Sequence, residues 1–325
     1  MSDTHPGDRA LSHALSRLHG IYSPLERETA KLLAAYINTH EKELRIRKNE
    51  KKLDFYMRFM QVFSGVRWLI LRRRIAALYT NANVKATEGI NDWLEPAFVD
   101  GMNNASFAMS LAGVETWPVT AAVIARMVAQ KIIKLRKRKV KKAKDQAYNE
   151  HQIQSVIHAA IYHGIAADAL AEYVAGRYAR AREREAQAAA QASVYSASDE
   201  GAYFAGLEAE NAGVKVEKTW LGIVDARIRP SHAHLHNTTI PMDEVFHGYH
   251  GTLRYPHDPE APPAEIYNCR CRMVVHLAGK SVDAYSENYI LPTQTSAYKR
   301  WREEQIRKAG TEIELARLHK RLIRG

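Results

Sequence analysis

The chain has 325 residues, of which 46% are hydrophobic and 26% charged, and its formal net charge is +11. This composition is typical of a soluble globular protein and excludes disordered and fibrous classes. No run of 18 apolar residues occurs, because Glu115, Pro118 and Arg126 interrupt the most apolar region, which excludes a transmembrane helix. Two cysteines cannot form a disulfide framework, and the N-terminus has no signal-peptide pattern, so a reducing cytoplasm is predicted.

The positive charge is unevenly distributed along the chain. Residues 1–150 contain 26 Lys and Arg against 15 Asp and Glu, whereas residues 151–325 contain 21 of each. Such asymmetry indicates contact with nucleic acid or another polyanion, since clustered cations release counterions when they meet phosphates. The alternative is a basic surface that only aids solubility.

Helical periodicity dominates the chain from about Ala10 to Tyr148, with apolar side chains at three- and four-residue steps. Breaks are predicted at glycine and proline positions, namely Pro24, Gly65, Gly89–Asn91, Gly101–Asn104 and Gly113–Pro118. Pro118 is expected to open a helix that continues through Leu135 into a basic run.

A second helical stretch is predicted from about Gln146 to Gly164, and a further helix from Ala167 onward. Alternating charges from Arg180 to Glu185 are typical of a solvated helix face. The acids Asp199 and Glu200 favour another helix start.

The pattern changes at Val214. Alternation from Val214 to Trp220 predicts a strand, residues 221–272 are rich in turn formers, and Met273–Leu277 predicts a second strand. A charged helix is expected from Ser296. The predicted fold is mainly α, with a small loop-rich α+β module at residues 214–278 and a helical tail. The predicted regions are a basic helical part (1–145), a helical part (146–213), this module, and the tail (279–325).

Both cysteines and seven of the fifteen histidines lie between His232 and His276. A C-x-C pair on a strand places both thiols on one face, and sulfur with imidazole is the donor combination that zinc prefers. Cys269, Cys271, His232 and Asp225 are therefore candidate zinc ligands, and a metal would stabilise a segment so poor in secondary structure.

Other interpretations of the same residues remain open. Asp225, Arg229 and Arg270, with Asp258, could form a metal-free polar network. A Cys–His nucleophile is a third possibility, whereas a disulfide across one residue would be strained. Phosphate-binding, dinucleotide, zinc-protease and nucleophile-elbow motifs are all absent, and no group of carboxylates converges in sequence.

The basic run from Lys131 to Lys144 is the second feature of functional interest. Its nine cations are candidate nucleic-acid contacts: Lys131, Lys134, Arg136, Lys137, Arg138, Lys139, Lys141, Lys142 and Lys144. A solvated helix face is the alternative. A membrane-surface helix is disfavoured because aromatic anchors are missing, and base-specific reading is not indicated, because no aromatic stacking platform is interleaved.

An ordered string of motifs extends from Lys218 to Val275. Its parts are Lys218-Thr219-Trp220, Asp225-x-Arg227-x-Arg229-x-x-His232, His236-Asn237, Ile240, Asp243-Glu244, Phe246, Pro256-His257-Asp258-Pro259 and Asn268-Cys269-Arg270-Cys271-Arg272 followed by Met273-Val274-Val275. This string resembles the C-terminal module of the phage Mu F-like minor head proteins, also called phage head morphogenesis proteins. Residues 164–213 resemble the helical region that precedes the module in that family.

The sequence departs from the family pattern at two places. The turn after His232 carries His236-Asn237 where members often have Asp-Gly, and an Arg-Thr-Glu helix motif is replaced by Arg182-Glu183-Arg184-Glu185. Any special role of that helix is therefore not carried over to this chain.

The resemblance implies a non-enzymatic virion component that is assembled in the host cytoplasm. It implies association with the portal and with capsid or scaffold protein during head assembly, close to packaged double-stranded DNA and without a membrane. A metal at the His and Cys positions has been suggested for some members. The alternative function is a metal-dependent nuclease or a toxin-type transferase acting on nucleic acid or host protein.

Overall fold

The computed structural model describes residues 5–45, 47–116, 119, 121–130, 133–280 and 295–309. Its helices are α1 (Asp8–Thr39), α2 (Glu41–Leu44), α3 (Lys52–Val62), α4 (Val66–Asn91), α5 (Leu94–Leu111), α6 (Ala121–Ala129), α7 (Lys142–Tyr162), α8 (Ala167–Asn211), α9 (Pro230–Leu235), α10 (Pro263–Ile266) and α11 (Ser296–Ala309). Its strands are β1 (Val216–Leu221), β2 (Thr239–Pro241), β3 (Phe246–Gly248), β4 (Gly251–Leu253) and β5 (Arg272–Leu277). The predicted fold class, mainly α with a small β-containing C-terminal module, is confirmed.

The two strands predicted around residues 214–220 and 273–277 pair with each other. β1 lies between β2 and β5, and both neighbours run antiparallel to it. Trp220 faces Met273 across one ladder, and Thr219 faces Thr239 across the other. β3 and β4 form a separate antiparallel hairpin. Alternating side chains therefore predicted β1 correctly, and the strand predicted at Met273–Leu277 is β5, whereas β2 lies in the segment that was predicted to contain turns.

The chain forms two compact units. The first contains residues 1–14, 90–137 and 189–325, and the second contains residues 15–89 and 138–188. The core of the first unit contains apolar side chains of α5, α6, the end of α8 and the sheet. Among the largest fully buried side chains of the second unit are Trp68, Tyr22, Tyr79, Tyr178 and Phe59.

The break predicted at Gly101–Asn104 is wrong, because α5 runs through it. A Cβ on Gly101 would overlap the backbone of Ser198, and a Cβ on Gly201 would overlap the carbonyl of Phe98. The two glycines therefore allow α5 and α8 to approach closely in the first unit. Glycine here serves helix packing and does not end a helix.

Two further predicted helix ends are also wrong. Pro24 lies inside α1, where its flanking turns bury Leu18, Tyr22 and Leu33. No new helix begins at Asp199, because α8 is continuous over 45 residues. The Ala-rich sequence before Asp199 favours helix strongly, and the buried Asp199 carboxylate is engaged by histidines and not by a helix N-terminus.

Arg182 is only 5% exposed, although its neighbours in the alternating-charge segment had predicted a solvated face. Its guanidinium lies 3.6 Å from Asp145 and binds Glu185. Asp145 also accepts hydrogen bonds from the side-chain amides of Asn83 and Asn149, each at 2.8 Å. This polar network, in which Arg182 is buried and Asp145 is partly exposed, lies within the second unit.

The basic run does not continue α6 as a helix. α6 ends at Ala129, residues 133–141 have no helical structure, and α7 begins at Lys142. Like charges at three- and four-residue spacing destabilise a helix, and no acid in the run offsets them. Pro118 and Lys131 lie outside the described residues.

A search of the described residues for membrane-spanning helices finds none with the length and apolar character required to cross a bilayer.

Candidate metal centre

Two thiols and one imidazole meet in the C-terminal part of the first unit. Cys269 and Cys271 precede β5, and His232 lies on α9. The sulfur atoms of Cys269 and Cys271 lie 3.5 and 3.3 Å from Nδ1 of His232. All three potential ligand atoms lie within 4.8 Å of one another. The structure thus brings together three of the four predicted ligands.

These distances match the edges of a zinc tetrahedron. Zn–S and Zn–N bonds of the usual lengths at a tetrahedral angle place sulfur and nitrogen about 3.6 Å apart. The observed separations of 3.5 and 3.3 Å are close to this value. His232, Cys269 and Cys271 would therefore supply three of the four ligands that a tetrahedral zinc site needs.

The thiols differ in their acidity. The hydrogen bond with Cys269, with a further contribution from His232, holds the pKa of Cys271 well below its usual value. Burial raises the pKa of Cys269. The lowered pKa favours the thiolate of Cys271, the form that binds metal. The backbone N–H of Cys271 also donates to the sulfur of Cys269 at 3.4 Å.

Glu265 supports the imidazole from its other side. Its carboxylate is completely buried, and Oε2 lies 3.2 Å from Nε2 of His232. Oε1 accepts hydrogen bonds from the hydroxyl of Ser231 at 3.0 Å and from the backbone N–H of His250 at 2.8 Å. A carboxylate on the far nitrogen of a metal-bound histidine fixes its orientation and raises its basicity. Glu265 therefore lies where it would orient His232 towards a metal bound at Nδ1.

Local sequence explains how these side chains are positioned. Pro230 and Pro263 begin α9 and α10, the first-turn position that proline favours. Asn268 adopts a left-handed conformation with φ 53°, which turns the chain from α10 towards Cys269. Asparagine tolerates this conformation better than most residues.

The cluster is shielded from water by a small apolar core. Trp220 packs edge-on against His232, with ring centroids 5.2 Å apart, and likewise against Phe246. Cys269 and Cys271 belong to this core and are each 3% exposed. Burial of this degree is typical of a structural metal site.

Residues 151–274, less than half of the chain, match the family model of the phage Mu protein F like proteins. This segment is similar to the phage Mu F-like proteins, and it contains most of the module at residues 214–278, called the Mu F-like module below. The resemblance predicted from the motif string is thereby confirmed. The match indicates a phage head morphogenesis protein and a virion component. No curated protein and no solved structure matches the chain.

Asp225 is not part of the cluster in the Mu F-like module. The guanidinium of Arg270 donates to both of its carboxylate oxygens, at 2.8 and 2.7 Å. This interaction keeps the pKa of Asp225 far below its usual value. Arg270 thus points away from the thiols on either side of it and fastens the loop that contains Asp225.

The other two residues of the predicted polar network make separate contacts. Arg229 donates to the carbonyl oxygen of Ala264 within α10 and to that of Tyr267 directly after it. Asp258 accepts from the guanidinium of Arg254 at 2.8 and 2.6 Å. The module is therefore held by several local contacts and not by one continuous network.

A second buried cluster in the first unit was not predicted. Nδ1 of His257 lies 2.8 Å from Asp199, and Nε2 of His5 lies 3.4 Å from the other carboxylate oxygen. Nε2 of His257 donates to the carbonyl oxygen of Cys269 at 2.8 Å, and Gln191 donates to the same oxygen at 2.9 Å. The second cluster therefore also positions Cys269.

A hydrogen bond from His257 and a close contact from His5 connect this second cluster to Asp199, and the three ligand atoms all lie within 4.8 Å of one another. The backbone N–H of Gly7 donates to Nδ1 of His5 at 2.9 Å, so the proton of His5 is on Nε2 and faces Asp199. Burial alone would lower the pKa of His257, but the hydrogen bond with Asp199 raises it above its usual value. Burial alone would raise the pKa of Asp199, but the charges and hydrogen bonds of His5 and His257 lower it below its usual value. Asp199 and His257 thus form a buried ion pair.

Lys218 of β1 is another buried charge that the sequence did not reveal. Its ammonium group donates to the carbonyl oxygens of Met242 and Glu244 at 3.0 and 2.6 Å. Burial lowers its pKa to about 8. Lys218 thereby connects β1 to the turn between β2 and β3.

The predicted nucleic-acid residues lie on the surface where the structure describes them. Every cation from Lys134 to Lys144 is exposed. Arg136 binds Glu260 of the Mu F-like module. The run passes from the first unit to the second after Lys137.

Proposed function

We propose that this chain is a non-enzymatic minor head protein that acts at or near the portal during head assembly, close to packaged DNA. The observation that carries this proposal is the match of residues 151–274 to the phage Mu F-like family. Zinc bound by His232, Cys269 and Cys271 has a structural role in the proposal.

The contacts of the carboxylates support a structural role. A metal-dependent nuclease needs several carboxylates that converge on its metal. In the module, Asp225 is bound by Arg270, Asp258 by Arg254, and Glu265 by Ser231 and the backbone of His250. These three carboxylates are committed to contacts that hold loops together.

The role in head assembly is tested by co-expression with the portal protein of the same phage. The chain is expected to co-purify with the portal, and a full-length chain that does not co-purify with it would contradict the proposal. Plasmid DNA incubated with the intact chain and Mg²⁺, Mn²⁺ or Zn²⁺ is expected to remain uncut. DNA cleavage that disappears in a His232→Ala variant would establish the nuclease instead.

Binding of DNA is expected to depend on the exposed lysines of the basic run. Changing Lys134, Lys137, Lys139, Lys141 and Lys142 to glutamine is expected to weaken duplex binding. The slope of log K against log salt should also become less steep, by about 0.9 for each phosphate that the variant no longer neutralises. Fluorescence anisotropy at several salt concentrations measures both effects.

A matched control removes five exposed cations elsewhere, by changing Arg177, Arg184, Lys215, Arg227 and Lys280 to glutamine. This control is expected to keep most of the salt dependence. Equal reductions in affinity for the two chains, or binding that does not change with salt, would contradict a role of the basic run.

A further inference from the structure

Several large aliphatic side chains of α3 and α4, in the second unit, are exposed. Among the large apolar side chains that the structure describes as exposed, five fall within residues 53–70. They are Leu53 (68%), Met57 (52%), Val66 (73%), Leu69 (36%) and Ile70 (64%). Leu53 and Met57 are four residues apart on α3, as are Val66 and Ile70 on α4, so each pair forms a ridge on one helix face.

The same segment is strongly basic. Residues 45–74 contain ten Lys and Arg but only two Asp and Glu. Arg47, Arg67 and Arg74 are exposed, and Arg73 is 74% exposed. This charge is separate from the basic run between α6 and α7. The aliphatic ridges are therefore accompanied by guanidinium and ammonium groups.

An open groove of about 570 Å³ lies where α3 and α4 meet. Its lining includes Tyr36, His40, Arg47, Val62, Val66 and Arg67. Its floor is well packed, because Phe59, Phe63 and Trp68 are almost completely buried beneath this end of the unit. Arg58, which also lines the groove, forms an ion pair with Glu50 and donates a hydrogen bond to the carbonyl oxygen of Glu43. The groove is thus preformed and combines apolar and cationic walls.

From this surface we infer a docking site for an acidic, amphipathic helix of another protein. Such a helix would place aliphatic side chains on the ridges and in the groove, and carboxylates beside Arg47 and Arg67, which is the helix-in-groove mode of recognition. The inference does not depend on the function proposed above.

The other occupants fit these observations less well. A second copy of this chain would bring two strongly basic surfaces together, and these surfaces would repel each other. Duplex DNA would use the cations but would leave five exposed aliphatic side chains without partners. A bilayer surface would use both, but it would leave the groove between α3 and α4 unfilled.

The test uses the full chain and a peptide of about 20 residues, a length sufficient for a helix. Leucine occupies one helical face of the peptide and glutamate the other positions. Saturable binding is expected in isothermal titration calorimetry. A peptide with serine in place of leucine, or lysine in place of glutamate, is expected not to bind.

Variants of the chain locate the site. Ile70→Ser is expected to weaken peptide binding about tenfold or more, the factor that burial of one aliphatic side chain supplies. Arg67→Glu is expected to weaken it as well, because it places a negative charge beside the carboxylates of the peptide. Leu111→Ser, at a residue 66% exposed in the first unit, and Arg177→Glu are the matched controls and should bind as the parent does. Circular dichroism verifies that every variant is folded.

The inference is overturned if the leucine–glutamate peptide does not bind, or if Ile70→Ser and Arg67→Glu bind it as tightly as the controls do. Phosphatidylglycerol vesicles and a DNA duplex are tested in parallel. Ile70-dependent binding to either of these, without binding of the peptide, would assign the surface to a lipid or to DNA.

Discussion

Cys271→Ser is expected to release one zinc ion per chain and to lower Tm by roughly 10 °C or more. The side chain lies 3.3 Å from Nδ1 of His232, and its thiolate is the favoured ligand of the pair. A metal present at a thousandfold excess over its Kd contributes about 4 kcal/mol to the free energy of unfolding. In a domain of about 200 residues, each 1 kcal/mol corresponds to about 2–4 °C in Tm.

Elemental analysis of the purified chain measures the metal, and thermal unfolding with and without a chelator measures its effect on stability. His247→Ala is the matched control, because His247 is an exposed imidazole of the same module. It should retain the metal and the parent Tm. A parent chain that contains no metal and unfolds at the same temperature in chelator would refute the zinc site.

Asp199→Asn is expected to destabilise the chain by about 3–5 kcal/mol, because it leaves the positive charge of His257 buried without its partner. Asp199 and His257 are 2% and 3% exposed, and their ion pair is 2.8 Å long. Urea unfolding monitored by tryptophan fluorescence measures the destabilisation. The adjacent Glu200→Gln is the control, since burial raises the pKa of Glu200 and its charge therefore adds no stability.

The effect of Asp199→Asn should depend on pH. The pKa of His257 is raised on folding. Its contribution to the free energy of unfolding is therefore complete below about pH 6.5, the pKa of histidine in the unfolded chain. This contribution declines as pH rises through the folded pKa. The pKa of Asp199 is lowered on folding. Its contribution to the free energy of unfolding is therefore complete above about pH 3.9, the pKa of aspartate in the unfolded chain. This contribution declines as pH falls through the folded pKa.

The difference in unfolding free energy between parent and Asp199→Asn is therefore expected to be largest from about pH 4 to pH 6.5. It should shrink at higher pH. A difference that stays constant from pH 5 to pH 10 would show that His257 is not charged in the folded chain.

Several helix boundaries could not be predicted because tertiary contacts override local signals. Gly101 was predicted to end a helix, yet it lies inside α5, where only a glycine fits against Ser198. Arg182 was predicted to face solvent, yet it is buried and the carboxylate of Asp145 lies 3.6 Å from its guanidinium. The basic run failed as a helix for a local reason, the repulsion between its own charges, and that failure could have been foreseen.

The sequence by itself determined the strand pair, the loop-rich module and the identity of three potential ligands. These features depend on local properties: alternation of apolar residues, turn formers, and two thiols separated by one residue. The tertiary structure alone decided that Glu265 supports His232, that Asp225 pairs with Arg270, and that His5 and Asp199 join His257. These contacts join positions that are far apart in the chain, and no local pattern encodes which buried charges will meet.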